Sequence, residues 1–251
     1  MNNDILIDLL KNYDLQNPSF RPTEIYNEGW LLRIILNEYS RHNSAFGLVS
    51  FRDNAIWFSE AMLPTKFRAR KEIGRSDPFA ESLTIADGVI GHINVGNKGK
   101  ADLELSEGAT QFVVIEAKMN SKLSKRIRNS PEYDQAARTV ACMAETIRLS
   151  ETINITDIRN LAYVVLAPEK RIGKSNLLEL VDEDSIKKKV RTRVSNYGDE
   201  GDYKEWYEKY FEPTLKKIKV DVISWEKVID QLPVSAKKEV KYFYDLCLQY
   251  N

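Results

Sequence analysis

Residues 112–118 read Phe-Val-Val-Ile-Glu-Ala-Lys, an apolar run that ends in a carboxylate and an amine two positions apart. The run has no polar face, which predicts a central strand covered on both sides. Because alternate residues of a strand share a face, we expect Glu116 and Lys118 to point the same way and Ala117 the opposite way. A buried acid and amine are costly unless they pair or bind something. The stretch therefore predicts the middle of a sheet and a functional site at its end.

A β-hairpin is predicted immediately before this strand. The segment from Asp102 alternates polar and apolar side chains and then reaches turn residues around Gly108. A short loop there would place Asp102 directly opposite Glu116, with Cβ atoms about 4.5–5.5 Å apart, although a slip of two residues would change the pairing. Two such carboxylates repel each other unless a hard divalent cation lies between them. We therefore expect Mg²⁺, or Mn²⁺, bound by Asp102 and Glu116 with the Ala117 carbonyl.

Further acids are candidates for the same site. Residues 27–42 predict an amphipathic helix in which Glu28 lies on the apolar stripe, so its side chain should face the protein. Glu24, one turn earlier, is the alternative. An acid in the first turn of a helix is also favoured by the helix dipole alone, so a purely structural role for Glu28 stays open. Asp87 is another possible metal acid, but the Gly88 that follows it favours a turn.

The elements after the site strand indicate how the sheet continues. Residues 130–132, Ser-Pro-Glu, have the pattern of a helix N-terminus, and the helix is predicted to run to about Ser150. Residues 161–166 form a second buried strand. A strand, a helix and a strand imply a crossover, hence a parallel pair in a mixed sheet. A last strand is expected over 220–224 and a last helix over 235–250.

The carboxylates and Lys118 together would provide the metal ligands and the catalytic amine needed for metal-dependent phosphodiester cleavage. The metal would lower the pKa of a bound water and neutralise charge on the scissile phosphate. Lys118 would position or deprotonate that water and stabilise the transition state. Glu28 would orient the metal's water shell or a second ion. The alternative is a cross-strand salt-bridge cluster at a solvated end of the sheet.

Asp102, a hairpin, and then Glu116-Ala117-Lys118 at the end of an apolar strand resemble the signature of the PD-(D/E)xK, or restriction-endonuclease-like, nuclease superfamily. The order of elements over residues 27–166 is similar to the α-β-β-β-α-β core of that superfamily. The resemblance implies a nuclease, for which we expect DNA in the first place and RNA as the alternative substrate, with pairing into a homodimer as one option. It also implies a glutamine near the site on the helix after the lysine, and Gln135 matches. Ala101 stands where many members carry proline.

Basic residues near the site predict where phosphate groups would bind. Four follow the site strand and one lies a turn after the glutamine: Lys122, Lys125, Arg126, Arg128 and Arg138. The alternatives are an exposed loop for the first four, and a solvated helix flank for Gln135 and Arg138. A second cluster, Lys187 to Lys189 with Arg191 and Arg193, is flanked by acids and is predicted to be an exposed helix face.

Composition narrows the class of protein. The 251 residues are 43 % hydrophobic and 29 % charged, which is typical of a soluble globular chain. Lys plus Arg and Asp plus Glu each total 37, so nucleic-acid binding would depend on placed charges and a metal rather than on bulk attraction. Two cysteines and two histidines without ligand spacing argue against a zinc site. The N-terminus lacks the pattern of a signal peptide, which favours the cytoplasm, and no partnership with a membrane is expected.

We therefore expect one α/β domain over residues 1–251. It would have a restriction-endonuclease-like core over 23–168, with a mixed central sheet flanked by helices, and a C-terminal helical extension over 169–251. The expected activity is Mg²⁺-dependent hydrolysis of phosphodiester bonds in nucleic acid, DNA in the first place. The rival interpretation is a catalytically inactive module of the same fold that binds nucleic acid or a partner protein. The aromatic-rich segment over 203–211 leaves room for that rival.

Overall fold

The computed structural model describes residues 9–10, 12–74, 77–97, 99, 102–121, 123, 133–198 and 201–251. Four of the basic residues expected to bind phosphate, and the helix cap expected at 130–132, lie outside these residues. The four are Lys122, Lys125, Arg126 and Arg128.

A five-stranded mixed sheet forms the centre of the fold, in the spatial order β1-β2-β5-β6-β7. The strands, in chain order, are β1 (Ile56–Leu63), β2 (Thr84–Gly91), β3 (Ile93–Val95), β4 (Leu103–Leu105), β5 (Gln111–Ala117), β6 (Asn160–Ala167) and β7 (Lys219–Ser224). β2 is antiparallel to both of its neighbours, β1 and β5, whereas β5, β6 and β7 run parallel to one another. β3 and β4 form a separate two-stranded sheet. The predicted mixed sheet and the parallel pair across a helical crossover are confirmed.

Helices cover both faces of this sheet. They are α1 (Glu28–Arg41), α2 (Gln135–Leu149), α3 (Glu169–Ile172), α4 (Leu177–Leu180), α5 (Glu183–Ser195), α6 (Tyr203–Trp206), α7 (Glu212–Lys217), α8 (Trp225–Asp230) and α9 (Val234–Tyr250). A π-helical turn (Tyr207–Phe211) joins α6 to α7. Within the described ranges, no helix combines the length and the apolar character needed to cross a membrane.

The two faces of β5 contribute to two hydrophobic cores. Phe112 and Val114 belong to the core that α2, α5 and the aromatic segment before β7 complete. Val113 and Ile115 belong to the core that α1, α8 and α9 complete. All residues of β5 are buried, as the unbroken apolar run predicted. Elements after residue 168 take part in both cores.

Helix α1 begins where the sequence predicted. Asn27 is its N-cap, and the Oδ1 atom of Asn27 accepts a hydrogen bond of 3.0 Å from the backbone N–H of Trp30. Leu32 packs so closely on β2 that one of its methyl carbons lies 3.0 Å from where a Cβ on Gly88 would stand. Gly88 therefore lies within strand β2, where its lack of a side chain allows α1 to pack closely. The turn predicted at Gly88 is not formed.

Helix α2 begins later than predicted. Asp134 is the N-cap, and the Oδ1 atom of Asp134 accepts a hydrogen bond of 3.0 Å from the backbone N–H of Ala137. Tyr133 and Asp134 are not helical, so α2 begins after them, and the cap expected at 130–132 lies outside the described residues. The aspartate side chain can satisfy a free N–H group of the first turn, which makes it an effective cap. The end of α2 at Leu149, with Ser150 as C-cap, agrees with the prediction.

The predicted hairpin between Asp102 and Glu116 was wrong in its strand partners. β4 pairs with β3, and β5 pairs with β2 and β6. Asp102 instead forms an isolated parallel bridge with Met62 on the outer side of β1. β1 and β2 therefore lie between Asp102 and Glu116, which at ordinary strand spacing separates the two residues by about 14 Å.

Helix α5 is only in part the exposed basic face that its charges suggested, since Lys188 and Arg191 are exposed. Lys187 is partly exposed, but the Arg193 side chain is fully buried. The guanidinium of Arg193 lies 5.1 Å from the ring centroid of Phe67, and it donates a hydrogen bond to the Phe79 carbonyl. Lys189 is mostly buried in an ion pair with Asp134. Sequence spacing did not reveal these partners because they lie on distant elements.

Candidate functional site

Two carboxylates meet at the end of β5. The ladder between β2 and β5 pairs Gly88 with Ile115, which makes Asp87 and Glu116 the next facing positions. The backbone N–H of Ala117 donates a hydrogen bond of 2.7 Å to the Oδ2 atom of Asp87. The Asp87 carboxylate also lies close enough to Glu116 to contribute to the raised pKa of that acid. Neighbouring strands thus bring two acids together, as expected, but Asp87 supplies the partner that had been assigned to Asp102.

Glu116 is the buried member of the pair. The residue is 2 % exposed, which is unusual for a glutamate. Burial, and then the neighbouring Asp87 carboxylate, raise the pKa of Glu116 to about 8, although the Lys118 ammonium acts in the opposite direction. The charged form of this acid is therefore disfavoured unless more positive charge is brought to the site.

An amine and an amide bind the same oxygen of Glu116. The Nζ atom of Lys118 and the Nε2 atom of Gln135 both donate to Oε1 of Glu116. Lys118 shares the face of Glu116, as strand alternation predicted, and Gln135 approaches from the first turn of α2. The side chains of Glu116, Lys118 and Gln135 therefore meet at the end of β5.

The Ala117 backbone faces Asp87. In a strand, the N–H and C=O groups of one residue project toward the same neighbour. The Ala117 N–H is bonded to Asp87, so the Ala117 carbonyl also projects toward the β2 side of β5. The oxygen donors of this corner are therefore the carboxylates of Asp87 and Glu116 and this backbone carbonyl. That set suits a hard divalent ion that keeps several waters.

The position of Lys118 is fixed through its backbone. The N–H of Lys118 donates a hydrogen bond of 2.8 Å to the Leu166 carbonyl of β6. The carbonyl of Lys118 accepts a hydrogen bond of 2.9 Å from the indole Nε1 of Trp225, which is fully buried at the start of α8. The chain beyond residue 168 therefore contacts the site residue directly.

The strand beside Asp87 carries an unusual backbone conformation. Glu60 has a φ of 59°, and the ladder between β1 and β2 is interrupted there, between Ser59↔Gly88 and Ala61↔Ala86. Arg33 of α1 binds Glu60 and the residue before it, at 2.5 Å to the Glu60 carboxylate and 2.9 Å to the Ser59 hydroxyl. Left-handed conformations at residues other than glycine cost free energy and occur preferentially at functional sites.

Two residues expected at the site lie elsewhere. Asp102 accepts a hydrogen bond from the backbone N–H of Gly99, on the far side of β1. Glu28 is half-buried at the start of α1, where it is the second cause, after burial, that raises the pKa of the Cys247 thiol to about 12. In the part of the chain that the structure describes, no three Asp, Glu, His or Cys side chains are arranged to hold a metal ion. A metal here would have two carboxylate ligands.

Arg138 belongs to α2, and its side chain is mostly buried. Its Nε atom lies 3.3 Å from Oε2 of the buried Glu81, and its Nη2 atom donates a hydrogen bond of 2.5 Å to the Ser82 carbonyl. The expected contact of Arg138 with nucleic acid stays a prediction, and these bonds give the guanidinium a structural role.

Asp87 is the site residue to which the sequence assigned the wrong role. The signal for it is a single acid within the apolar run of β2, the same pattern that drew attention to Glu116 in β5. Gly88 obscured this signal because glycine after aspartate is typical of turns. The close packing of α1 on β2 explains that glycine instead.

No protein-family model, no curated protein and no solved structure matches this chain.

Proposed function

We propose that the protein is a metal-dependent nuclease with a restriction-endonuclease-like core. The observation that carries the proposal is the pairing of Asp87 with the buried Glu116 at the end of β5, with Lys118 bonded to Glu116. The acid, spacer and lysine order of the superfamily signature is retained, and Asp87 takes the place of Asp102 as the first acid.

The order of elements supports the same assignment. α1, β1, β2, β5, α2 and β6 follow one another as α-β-β-β-α-β, and the β3–β4 hairpin is inserted between the second and third of these strands. The first three strands are antiparallel and β6 joins in parallel beside β5. This order is compatible with the core implied by the sequence resemblance.

The donor set fits a divalent cation such as Mg²⁺ or Mn²⁺. Asp87, Glu116 and the Ala117 carbonyl would hold it. When bound, such an ion supplies a more acidic water and neutralises charge on a phosphate. The raised pKa of Glu116 supports this assignment, because burial and then the adjacent Asp87 carboxylate disfavour the charged form of Glu116, and a bound cation offsets both effects.

The remaining groups have roles that follow from their contacts. Lys118 holds its ammonium beside Glu116, where it would orient an attacking water and stabilise the negative charge that develops on the phosphate. Gln135 donates its amide to the same glutamate oxygen and would fix the rotamer of Glu116. A phosphodiester in nucleic acid is the substrate class that this combination suits, and we propose DNA in the first place.

The test is cleavage of linear duplex, circular duplex and single-stranded DNA, and of RNA, each with Mg²⁺ or with EDTA. We expect cleavage with Mg²⁺ only, and loss of cleavage in Glu116→Gln and in Lys118→Met. Glu205→Gln, which removes an exposed acid paired with Lys209, is the matched control and should cleave like wild type. Metal-independent cleavage, or full activity in both site variants, would contradict the proposal.

The same experiment addresses the rival interpretation of an inactive binding module. A protein that binds one of these nucleic acids without cleaving it, and that takes up no Mn²⁺ in calorimetric titration, would be such a module. The inactive module would be excluded if wild type takes up Mn²⁺ and cleaves nucleic acid, and if Glu116→Gln loses both properties.

A further inference from the structure

Lys189 of α5 and Asp134 join two elements that are distant in sequence. The Nζ atom of Lys189 lies 2.5 Å from Oδ2 of Asp134, and it also donates a hydrogen bond of 3.4 Å to the Leu180 carbonyl. Asp134 is almost completely buried, and the Lys189 side chain is mostly buried. A buried ion pair keeps its geometry better than an exposed one, because water does not compete for either partner.

Asp134 is the residue from which α2 begins. One oxygen of its carboxylate caps Ala137, and the other binds Lys189. Gln135 follows as the first residue of the helix, and its amide donates to Glu116. Lys189 is thus connected to the candidate catalytic acid through Asp134 and Gln135.

A second contact from the same helix face supports this connection. Arg193 lies one turn after Lys189, so both side chains share a face of α5. The guanidinium of Arg193 lies 5.7 Å from the ring centroid of Tyr133, the residue directly before Asp134. Two successive turns of α5 therefore hold the two residues that lead into α2.

We propose that Lys189 is a positioning residue, which sets the first turn of α2 so that the Gln135 amide meets Glu116. The inference rests on the proposed function for its catalytic consequence, but the positioning itself is a structural claim. Lysine at this place is otherwise unfavourable, because a cation beside the N-terminus of a helix opposes the helix dipole. The carboxylate of Asp134 offsets that cost and ties the two helices together.

The direct test follows the side-chain amide resonances of Gln135 by NMR in uniformly ¹⁵N-labelled protein. The resonances are assigned by their loss in Gln135→Ala. We expect Lys189→Met to shift them and Lys189→Arg to restore them. Lys187→Met is the matched control, because Lys187 lies on the same helix but pairs with Glu212 at 3.0 Å and not with Asp134.

A second variant covers the case in which Lys189→Met does not fold. Asp134→Ser keeps a side chain that caps a helix but removes the ion pair. It should shift the Gln135 resonances in the same way. Unchanged resonances in a folded Lys189→Met or Asp134→Ser protein would overturn the inference, whether or not the protein cleaves nucleic acid.

Kinetics then test the consequence for catalysis. Residues behind a catalytic or metal-binding group typically contribute about 10–100-fold, so we expect Lys189→Met to lower kcat about tenfold with little change in KM. In a Gln135→Ala background the same substitution should have little further effect, because both changes act through one contact. Absence of metal-dependent cleavage in wild type would reject the proposed function. Independent, multiplicative effects of the two substitutions would reject the route through Gln135.

Discussion

The backbone N–H of Ala117 donates a hydrogen bond of 2.7 Å to the Oδ2 atom of Asp87, and this bond joins the end of β5 to the middle of β2. It holds the Asp87 carboxylate at the position where the Ala117 carbonyl also projects. Asp87 and Glu116 can therefore act on one ligand although their strands are connected through the intervening β3–β4 hairpin.

The first prediction separates Asp87 from Asp102. We expect Asp87→Asn to abolish Mn²⁺ uptake in calorimetric titration, because it removes one of two carboxylates from the donor set. Asp102→Asn is the matched control, since Asp102 lies beyond β1, and it should bind Mn²⁺ and cleave DNA like wild type. The reverse pattern would restore the assignment made from sequence.

The second prediction concerns the pH dependence of stability without metal. The pKa of Glu116 is about 8 in the folded protein against an ordinary value of 4.5. Between these values the folded chain holds a proton that the unfolded chain releases, so the free energy of unfolding falls as pH rises from about 4.5 to about 8. The expected fall is on the order of a few kcal/mol. Urea unfolding in EDTA at a series of pH values measures it.

Glu116→Gln should remove most of this pH dependence, because a neutral side chain then occupies the buried position at every pH. Glu205→Gln removes an exposed acid and should leave the dependence in place. If the wild-type curve does not fall over this range, Glu116 is not protonated in the folded protein.

The chemistry at the end of β5 could be predicted from sequence because it depends on local periodicity. Strand alternation placed Glu116 and Lys118 on one face, and in the structure the Nζ atom of Lys118 donates a hydrogen bond to Oε1 of Glu116. The unbroken apolar run predicted a central strand, and β5 lies between β2 and β6. Both inferences needed only residues within one strand.

The identity of the first acid depended on strand pairing, which is not local. Neighbouring strands in a sequence often pair, and that expectation led to Asp102. Here β4 pairs with β3, so β5 reaches back to β2, and Asp87 becomes the partner of Glu116. Likewise, the burial of Lys189 could not be read from α5, because its partner Asp134 belongs to another element.

The third prediction assigns Arg138 to stability. Arg138 pairs with Glu81, whose side chain is fully buried, so Arg138→Met would leave a carboxylate without its cation. We expect a loss of about 3–5 kcal/mol in the free energy of unfolding, measured with urea. The double variant Arg138→Met/Glu81→Gln should recover most of that loss, because the carboxylate that has lost its partner is then replaced by a neutral amide.

The double variant also tests the expected contact between Arg138 and nucleic acid. Loss of one phosphate contact would weaken binding at every sequence and reduce the salt dependence by about one counterion. The bonds of Arg138 to Glu81 and Ser82 lead us to expect unchanged affinity and unchanged salt dependence. A reduced salt dependence in the folded double variant would show that Arg138 does contact phosphate.

The fourth prediction concerns Trp225, whose indole Nε1 donates to the carbonyl of Lys118 at 2.9 Å. Trp225→Phe removes this donor and part of the buried ring, so we expect a loss of about 1–3 kcal/mol in stability. Because that carbonyl belongs to Lys118, which carries the ammonium, kcat should fall about tenfold.

Trp206→Phe is the matched control: Trp206 is equally buried, and its Nε1 has no hydrogen-bond partner among the residues that the structure describes. That control should lose stability through packing and keep its kcat. Equal losses of kcat in the two variants would mean that Trp225 acts through its packing and that its hydrogen bond to Lys118 does not affect catalysis.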